Sequence, residues 1–165
     1  MQLLEAEDIN QALSLPDGRI EVLNGNQTIE LLGQAINFTQ DPMEKITIGM
    51  SNVGNTTESI AVKSDKGDFV SILVISPNGD NLYRGPSFIT GFTHPDFRRK
   101  GFALNTLRVA IRYCKDICGF PKMHIDVISQ GTHHMLKQLT KEERDYLDIT
   151  DNGMYLDRSP LSGLG

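Results

Sequence analysis

The stretch Phe88-Ile89-Thr90-Gly91-Phe92-Thr93-His94-Pro95-Asp96-Phe97-Arg98-Arg99-Lys100-Gly101-Phe102-Ala103 holds the residues whose types and spacing suit chemistry. A run rich in Phe, Ile and Thr feeds a basic, glycine-containing loop, and the loop feeds a helix start. The first turn of a helix leaves backbone N–H groups without partners and carries a partial positive charge, so it favours an anion. Gly101 removes the side-chain bulk that would keep a phosphate from that backbone, and Arg98, Arg99 and Lys100 add cations beside it. The pocket this predicts suits a diphosphate.

The remaining reactive side chains point elsewhere. His133 and His134 are adjacent on a predicted helix, so they diverge by about 100° and cannot share a metal as an i, i+4 pair would; a surface role is expected for both. His94, beside Pro95, reads as a turn residue. Cys114 and Cys118 lie four apart in one helical stretch, without a second cysteine pair for zinc, and are expected in the core as free thiols. No Ser-His-Asp arrangement and no metal site stand out.

Several elements must position the loop. Ile60 and Val62, then Val70, Ile72 and Val74, alternate across Ser64-Asp65-Lys66-Gly67-Asp68, which predicts an antiparallel hairpin. Ser87 to Thr93 reads as a third strand. Leu104, Leu107, Ile111, Cys114 and Cys118 then step by three or four, an amphipathic helix closed by Gly119 and Pro121. Met123 to Ile128 reads as a strand, Met135, Leu136 and Leu139 as a helix face, Thr140 to Glu143 as the capping box of a short helix through Leu147, and Met154-Tyr155-Leu156 as a last strand. A strand joined through a helix to the next strand predicts a right-handed crossover and a parallel pair. Leu3 and Leu4 open a strand and Ile9, Ala12 and Leu13 a helix, whereas residues 19–55, broken by Asn24-Gly25-Asn26 and Asp41-Pro42, resist assignment.

Length and composition bound the answer. The chain has 165 residues, 39% hydrophobic and 22% charged, which fits one compact domain over 1–165 and excludes a disordered polyelectrolyte. Sixteen Lys plus Arg against 21 Asp plus Glu give a net charge of −5, which repels a nucleic-acid backbone. No apolar run is long enough to span a membrane, and Met1 to Leu15 lacks the basic start and apolar block of an export signal. The expected compartment is the cytoplasm, with no membrane and no nucleic acid as partner.

Against this background, Arg98-x-x-Gly101-x-Ala103 resembles the Q/R-x-x-G-x-G/A signature of the Gcn5-related N-acetyltransferases, and Thr93 to Phe97 is similar to that family's strand-to-loop approach. The resemblance covers roughly residues 57–139. It implies an α+β, three-layer fold with a mixed, mostly antiparallel sheet, a central parallel strand pair and flanking helices. It also implies acetyl-CoA as cofactor. Carried over, the diphosphate falls to Arg99, Lys100, Gly101, Phe102 and Ala103, with Arg98 at the first signature position, while Phe92 and Thr93 supply backbone to the pantetheine arm. Residues 19–55 and 140–165 would then form the acceptor side, the partner being an amine of a small molecule or protein. A homodimer is left open.

The resemblance fails in one place. The family carries an Asn and then a Tyr that protonates the departing thiolate. Counting from Ser129 puts Leu136 at the Tyr position, and no Gly-Phe follows Leu139. Tyr146 and Tyr155 are the phenols that could replace the missing acid, and Asp126 and His124, on one predicted strand face, could relieve the amine of its proton. Two readings follow: an N-acetyltransferase working by direct attack of the amine, or a catalytically silent protein of that fold acting as a binding or assembly module.

Overall fold

The computed structural model describes residues 19–49, 53, 56–64, 66–79 and 83–155. The strand and helix expected at residues 3–15, and part of the expected last strand, lie outside them. Six strands form one sheet in the order β1-β2-β3-β4-β5-β6: β1 Arg19–Leu23, β2 Glu58–Lys63, β3 Phe69–Ser76, β4 Ser87–Thr93, β5 Met123–Asp126 and β6 Leu147–Thr150. The first four are antiparallel neighbours; β5 runs parallel to β4, and β6 parallel to β5. Among the described residues five α-helices accompany them: α1 Gly25–Phe38, α2 Pro42–Gly49, α3 Phe102–Arg112, α4 Gln130–Lys137 and α5 Lys141–Tyr146.

Both helices of the segment that resisted assignment begin at its supposed breaks. Asn24 caps α1: its side chain accepts from the Gln27 amide at 2.9 Å while the Gln27 side chain accepts from the Asn24 amide at 3.0 Å. Pro42 opens α2, where its fixed φ and missing N–H cost nothing, and Asp41 accepts from the Met43 amide at 2.9 Å. Asx-Gly and Asx-Pro pairs mark helix starts as well as turns, and only the packing of Leu31, Leu32 and Ala35 on the sheet decides between them.

Every residue of β3 is buried, because helices cover both faces of the sheet. Ile72 and Val74 join Leu31, Leu32, Ala35 and Ile48 on the α1–α2 side. Leu73 and Ile75 join Leu107, Val109, Ile111 and Met123 on the α3 side. This is the three-layer arrangement expected, with the parallel pair β4–β5 at the heart of the sheet. The helix after the basic loop winds regularly to Arg112 and then as a π-helix over Tyr113–Ile117, holding Cys114 fully buried and Cys118 half-buried, both as free thiols.

The C-terminal strand differs from expectation. It is Leu147–Thr150, directly after α5, and Met154 and Tyr155 lie in irregular chain. Thr140 and Glu143 do form the capping box. Leu147 reaches the core while Asp148, Ile149 and Thr150 are exposed, a pattern too polar to signal a strand from composition. Among the described residues no helix is long and apolar enough to cross a membrane.

Candidate functional site

β4 and β5 pair at only two positions, Ser87 with His124 and Phe88 with Ile125. Beyond them the strands part. The divergence starts at a bulge: β4 pairs with β3 through Val74–Thr90 and Ile75–Phe88, leaving Ile89 as an extra residue. A bulge bends its strand and ends pairing, so past Ile89 the alternate N–H and C=O groups of β4 that face away from β3 meet open space, except the Thr93 carbonyl, which Arg98 holds. A cleft of about 730 Å³ fills that gap. One wall is Ile89 to Thr93; the other is Asp126, Ile128 and Ser129; Asp41 just before α2 and Met43 and Glu44 on it contribute, as do His134 and Met135 on α4 and Gln138 just after it.

The basic loop closes one end of this cleft. Arg99 has φ 62° and Gly101 φ 84°, with Lys100 at negative φ between them, so the backbone alternates in hand. Such alternation turns successive N–H groups toward one side and forms a concavity for an anion. The amides of Phe102, Ala103 and Leu104 precede the first intrahelical bond, Asn105 N to Gly101 O at 3.0 Å, and have no backbone acceptor among the described residues. A Cβ built on Gly101 would meet nothing within 4 Å, so the bend is open from outside. Arg99, Gly101, Phe102 and Ala103 all border the cleft.

The three cations have different fates. Arg98 was expected as a free cation beside the diphosphate; its Nη2 instead donates to both carboxylate oxygens of Glu44, at 3.0 and 2.7 Å, and its Nε to the Thr93 carbonyl at 2.9 Å. Its guanidinium also lies 5.4 Å over the Phe92 ring. Arg98 therefore ties the loop to α2 and to the end of β4. The Lys100 ammonium sits 5.9 Å over the Phe97 ring and does not line the cleft. Arg99 has no ion-pair partner among the described residues.

Phe92 buries its ring against Phe69, centroids 6.1 Å apart, and Thr93 shares a 3.1 Å hydroxyl contact with Ser71, so both offer the cleft backbone rather than side chain. The Thr93 carbonyl is already engaged by Arg98.

The remaining candidates separate. Asp126 lines the cleft just past the last β4–β5 pair, and no hydrogen bond or ion pair holds its carboxylate among the described residues. His124 shares its strand face but sits where the strands are still zipped; Tyr83 stacks on it at 3.9 Å, and its Nδ1 is buried without a hydrogen-bond partner, 3.8 Å from an Asp148 carboxylate oxygen. Tyr146 is buried and donates to the Phe120 carbonyl at 2.8 Å, with its phenol pushed up by burial and by the neighbouring Cys114. Tyr155 donates to Asp151 at 2.9 Å. None of these last three lines the cleft. Cys114 is likewise raised by burial, so neither its position nor its acidity suits a nucleophile.

Two cleft residues escaped the sequence reading. Glu44 lies in the unassigned segment. His134 was expected at the surface; it is exposed, yet it lines the cleft with Gly131, Met135 and Gln138. Their i, i+3, i+4, i+7 spacing was a visible sign of a shared helix face.

Solved structures share this fold. The ribosomal-protein-alanine N-acetyltransferase of Brucella melitensis biovar Abortus 2308 superposes with TM-score 0.53 at 14% identity over 87% of this chain and 100% of its own. The AAC(6')-Iy structure in complex with a CoA-containing bisubstrate analogue gives TM-score 0.52 at 14% identity, again over 87% and 100%. The spermidine/spermine N-acetyltransferase of Vibrio cholerae gives 0.50 at 13%, over 74% and 78%. The chain has the Gcn5-related N-acetyltransferase fold. No protein-family model and no curated protein sequence matches it.

Proposed function

We propose that the chain is an acetyl-CoA-dependent N-acetyltransferase that passes the acetyl group to an amine by direct attack, within a single domain. The observation that carries this reading is the cleft between β4 and β5 ending on the left-handed Gly101 bend, a shape with a groove for an amide-bearing arm and a positive backbone concavity for its diphosphate. The residues fit the group. Arg99, Gly101, Phe102 and Ala103 would hold the diphosphate, with Lys100 nearby, and the open edge of β4 from Ile89 to Thr93 would pair with the pantetheine amides as an added strand does.

Acetyl-CoA supplies an activated acyl carbon on a thiol leaving group. The chain supplies position and charge. Amides near the Ile89 bulge would face the oxygen that gains charge during attack. Asp126, at the mouth of the splay and without a bonded partner among the described residues, takes the proton of the attacking nitrogen, directly or through water. Asp41, just before α2, and Met43 and Glu44 on it form the acceptor side; with Glu44 neutralised by Arg98, Asp41 is the carboxylate there that suits a cationic amine. Solved enzymes of this fold include ones whose names specify a ribosomal-protein alanine or spermidine and spermine as acceptor.

Thermal unfolding with acetyl-CoA tests the reading. At a hundredfold excess over Kd, binding adds about 2.7 kcal/mol, roughly 5–10 °C for a domain of this size. Gly101→Glu should abolish the shift, whereas Gly101→Asn, which tolerates the left-handed bend, should keep it. No shift at millimolar acetyl-CoA favours the silent module. Thiol release with a panel of amines then separates turnover from binding.

A further inference from the structure

We infer that His134 is the acid that protonates the departing sulfur, an inference that rests on the acetyltransferase reading. The residue at the counted Tyr position, Leu136, is buried in the core, so it leaves the cleft without a phenol. The chain has four histidines, four tyrosines and two cysteines, and all of them, with every lysine, lie among the described residues. None of the tyrosines, cysteines or lysines lines the cleft. Tyr113 donates to Glu58 at 2.9 Å, Tyr146 to the Phe120 carbonyl at 2.8 Å and Tyr155 to Asp151 at 2.9 Å, while Tyr83 stacks on His124.

The histidines sort just as sharply. His94 accepts from the Asp96 amide at 3.1 Å and packs on Phe38, and His124 is buried under Tyr83. His133 is held 2.7 Å from Asp151. His134 alone among the four lines the cleft, on the α4 wall, and its ring has no hydrogen bond or ion pair among the described residues, only an edge contact with His133 at 5.6 Å. An imidazole ring carries its proton on nitrogen and can hand it to an atom within hydrogen-bond reach. The charged groups that line the cleft with it are Asp126 on β5, Asp41 before α2 and Glu44 on it, and Arg98 and Arg99 in the loop, while His133 is its neighbour on α4. Glu44 and Arg98 neutralise each other.

The step balances. As the nitrogen–carbon bond forms and the carbon–sulfur bond breaks, the sulfur leaves with the bonding pair and takes the ring proton of His134, which becomes neutral imidazole. Asp126 receives the surplus proton of the attacking nitrogen, and exchange with solvent returns both side chains to their starting states. Two protons move, one on each side of the scissile bond.

Calorimetric titration with CoA and with desulfo-CoA, on the wild type and on His134→Gln, isolates the contact as a double-mutant cycle. An imidazolium facing a thiolate makes a charge-assisted hydrogen bond, so the wild type should prefer CoA by about tenfold. In His134→Gln the preference should fall to within about twofold, with desulfo-CoA bound as tightly as by the wild type. Equal preference in both proteins, or an equal loss for both ligands, overturns the role, because a merely structural histidine does not distinguish sulfur from hydrogen. If the wild type binds neither ligand, the acetyltransferase reading itself falls and takes this inference with it.

Discussion

Arg98 and Glu44, fifty-four residues apart in sequence, meet through one guanidinium nitrogen that contacts both carboxylate oxygens at 3.0 and 2.7 Å. The pair joins the basic loop to α2, and it binds the signature's first side chain within the protein. Both side chains are about a third exposed, which limits the Coulombic gain to well under 1 kcal/mol, but Arg98 also holds the Thr93 carbonyl and covers Phe92. Arg98→Ala should therefore cost about 1–2 kcal/mol in urea unfolding and Glu44→Gln at most about half of that. Equal losses would show that the ion pair alone accounts for the effect.

Asp126→Asn keeps the shape of the cleft wall and removes the proposed proton acceptor. Thiol release from acetyl-CoA in the presence of an accepted amine should slow about 100-fold, while the affinity for acetyl-CoA stays within a factor of about two. A parallel loss of affinity would place Asp126 in binding instead.

His124→Phe preserves the stack on Tyr83 and removes the one buried side-chain nitrogen that has no hydrogen-bond partner among the described residues. Stability should hold or rise by up to about 1 kcal/mol, with thiol release unchanged. A marked drop in rate without a drop in melting temperature would return His124 to the chemistry.

Acid unfolding should report on Glu143. Burial alone would raise its carboxyl, but the Arg108 bond at 2.8 Å and the bonds from Thr140 outweigh it and hold the group below its ordinary value. A carboxyl lowered in the folded state adds stability above its unfolded value, near 4.3, and that contribution disappears as pH falls through the folded value. The stability difference between wild type and Glu143→Gln should thus be constant near neutrality and shrink below about pH 4. A difference that persists unchanged into stronger acid would exclude the ionised Glu143–Arg108 pair as its source.

Much of the core sheet was legible because its signals are local. Alternation in residues 58–76 and the three-to-four spacing from Leu104 read directly as β2, β3 and α3. The α1–α2 segment was not legible, since Asn24-Gly25 and Asp41-Pro42 serve turns and helix starts equally, and the apolar face that decides between them meets a distant partner. In the site, the Gly101 bend followed from a short motif, whereas the Arg98–Glu44 contact spans the fold and leaves no periodic trace. His124 and Asp126 share a strand face, yet only Asp126 reaches the cleft, because strand separation begins between them and alternation is blind to where pairing stops.

The parted strands also set a ceiling on how robust this protein can become. Each ladder rung missing between β4 and β5 is cohesion forgone, and substitutions that flattened the Ile89 irregularity would let the seam close and harden the fold. The same closure would erase the groove. Selection for heat resistance must therefore act at the periphery, on helix caps and edge strands, and leave the middle of the sheet ajar.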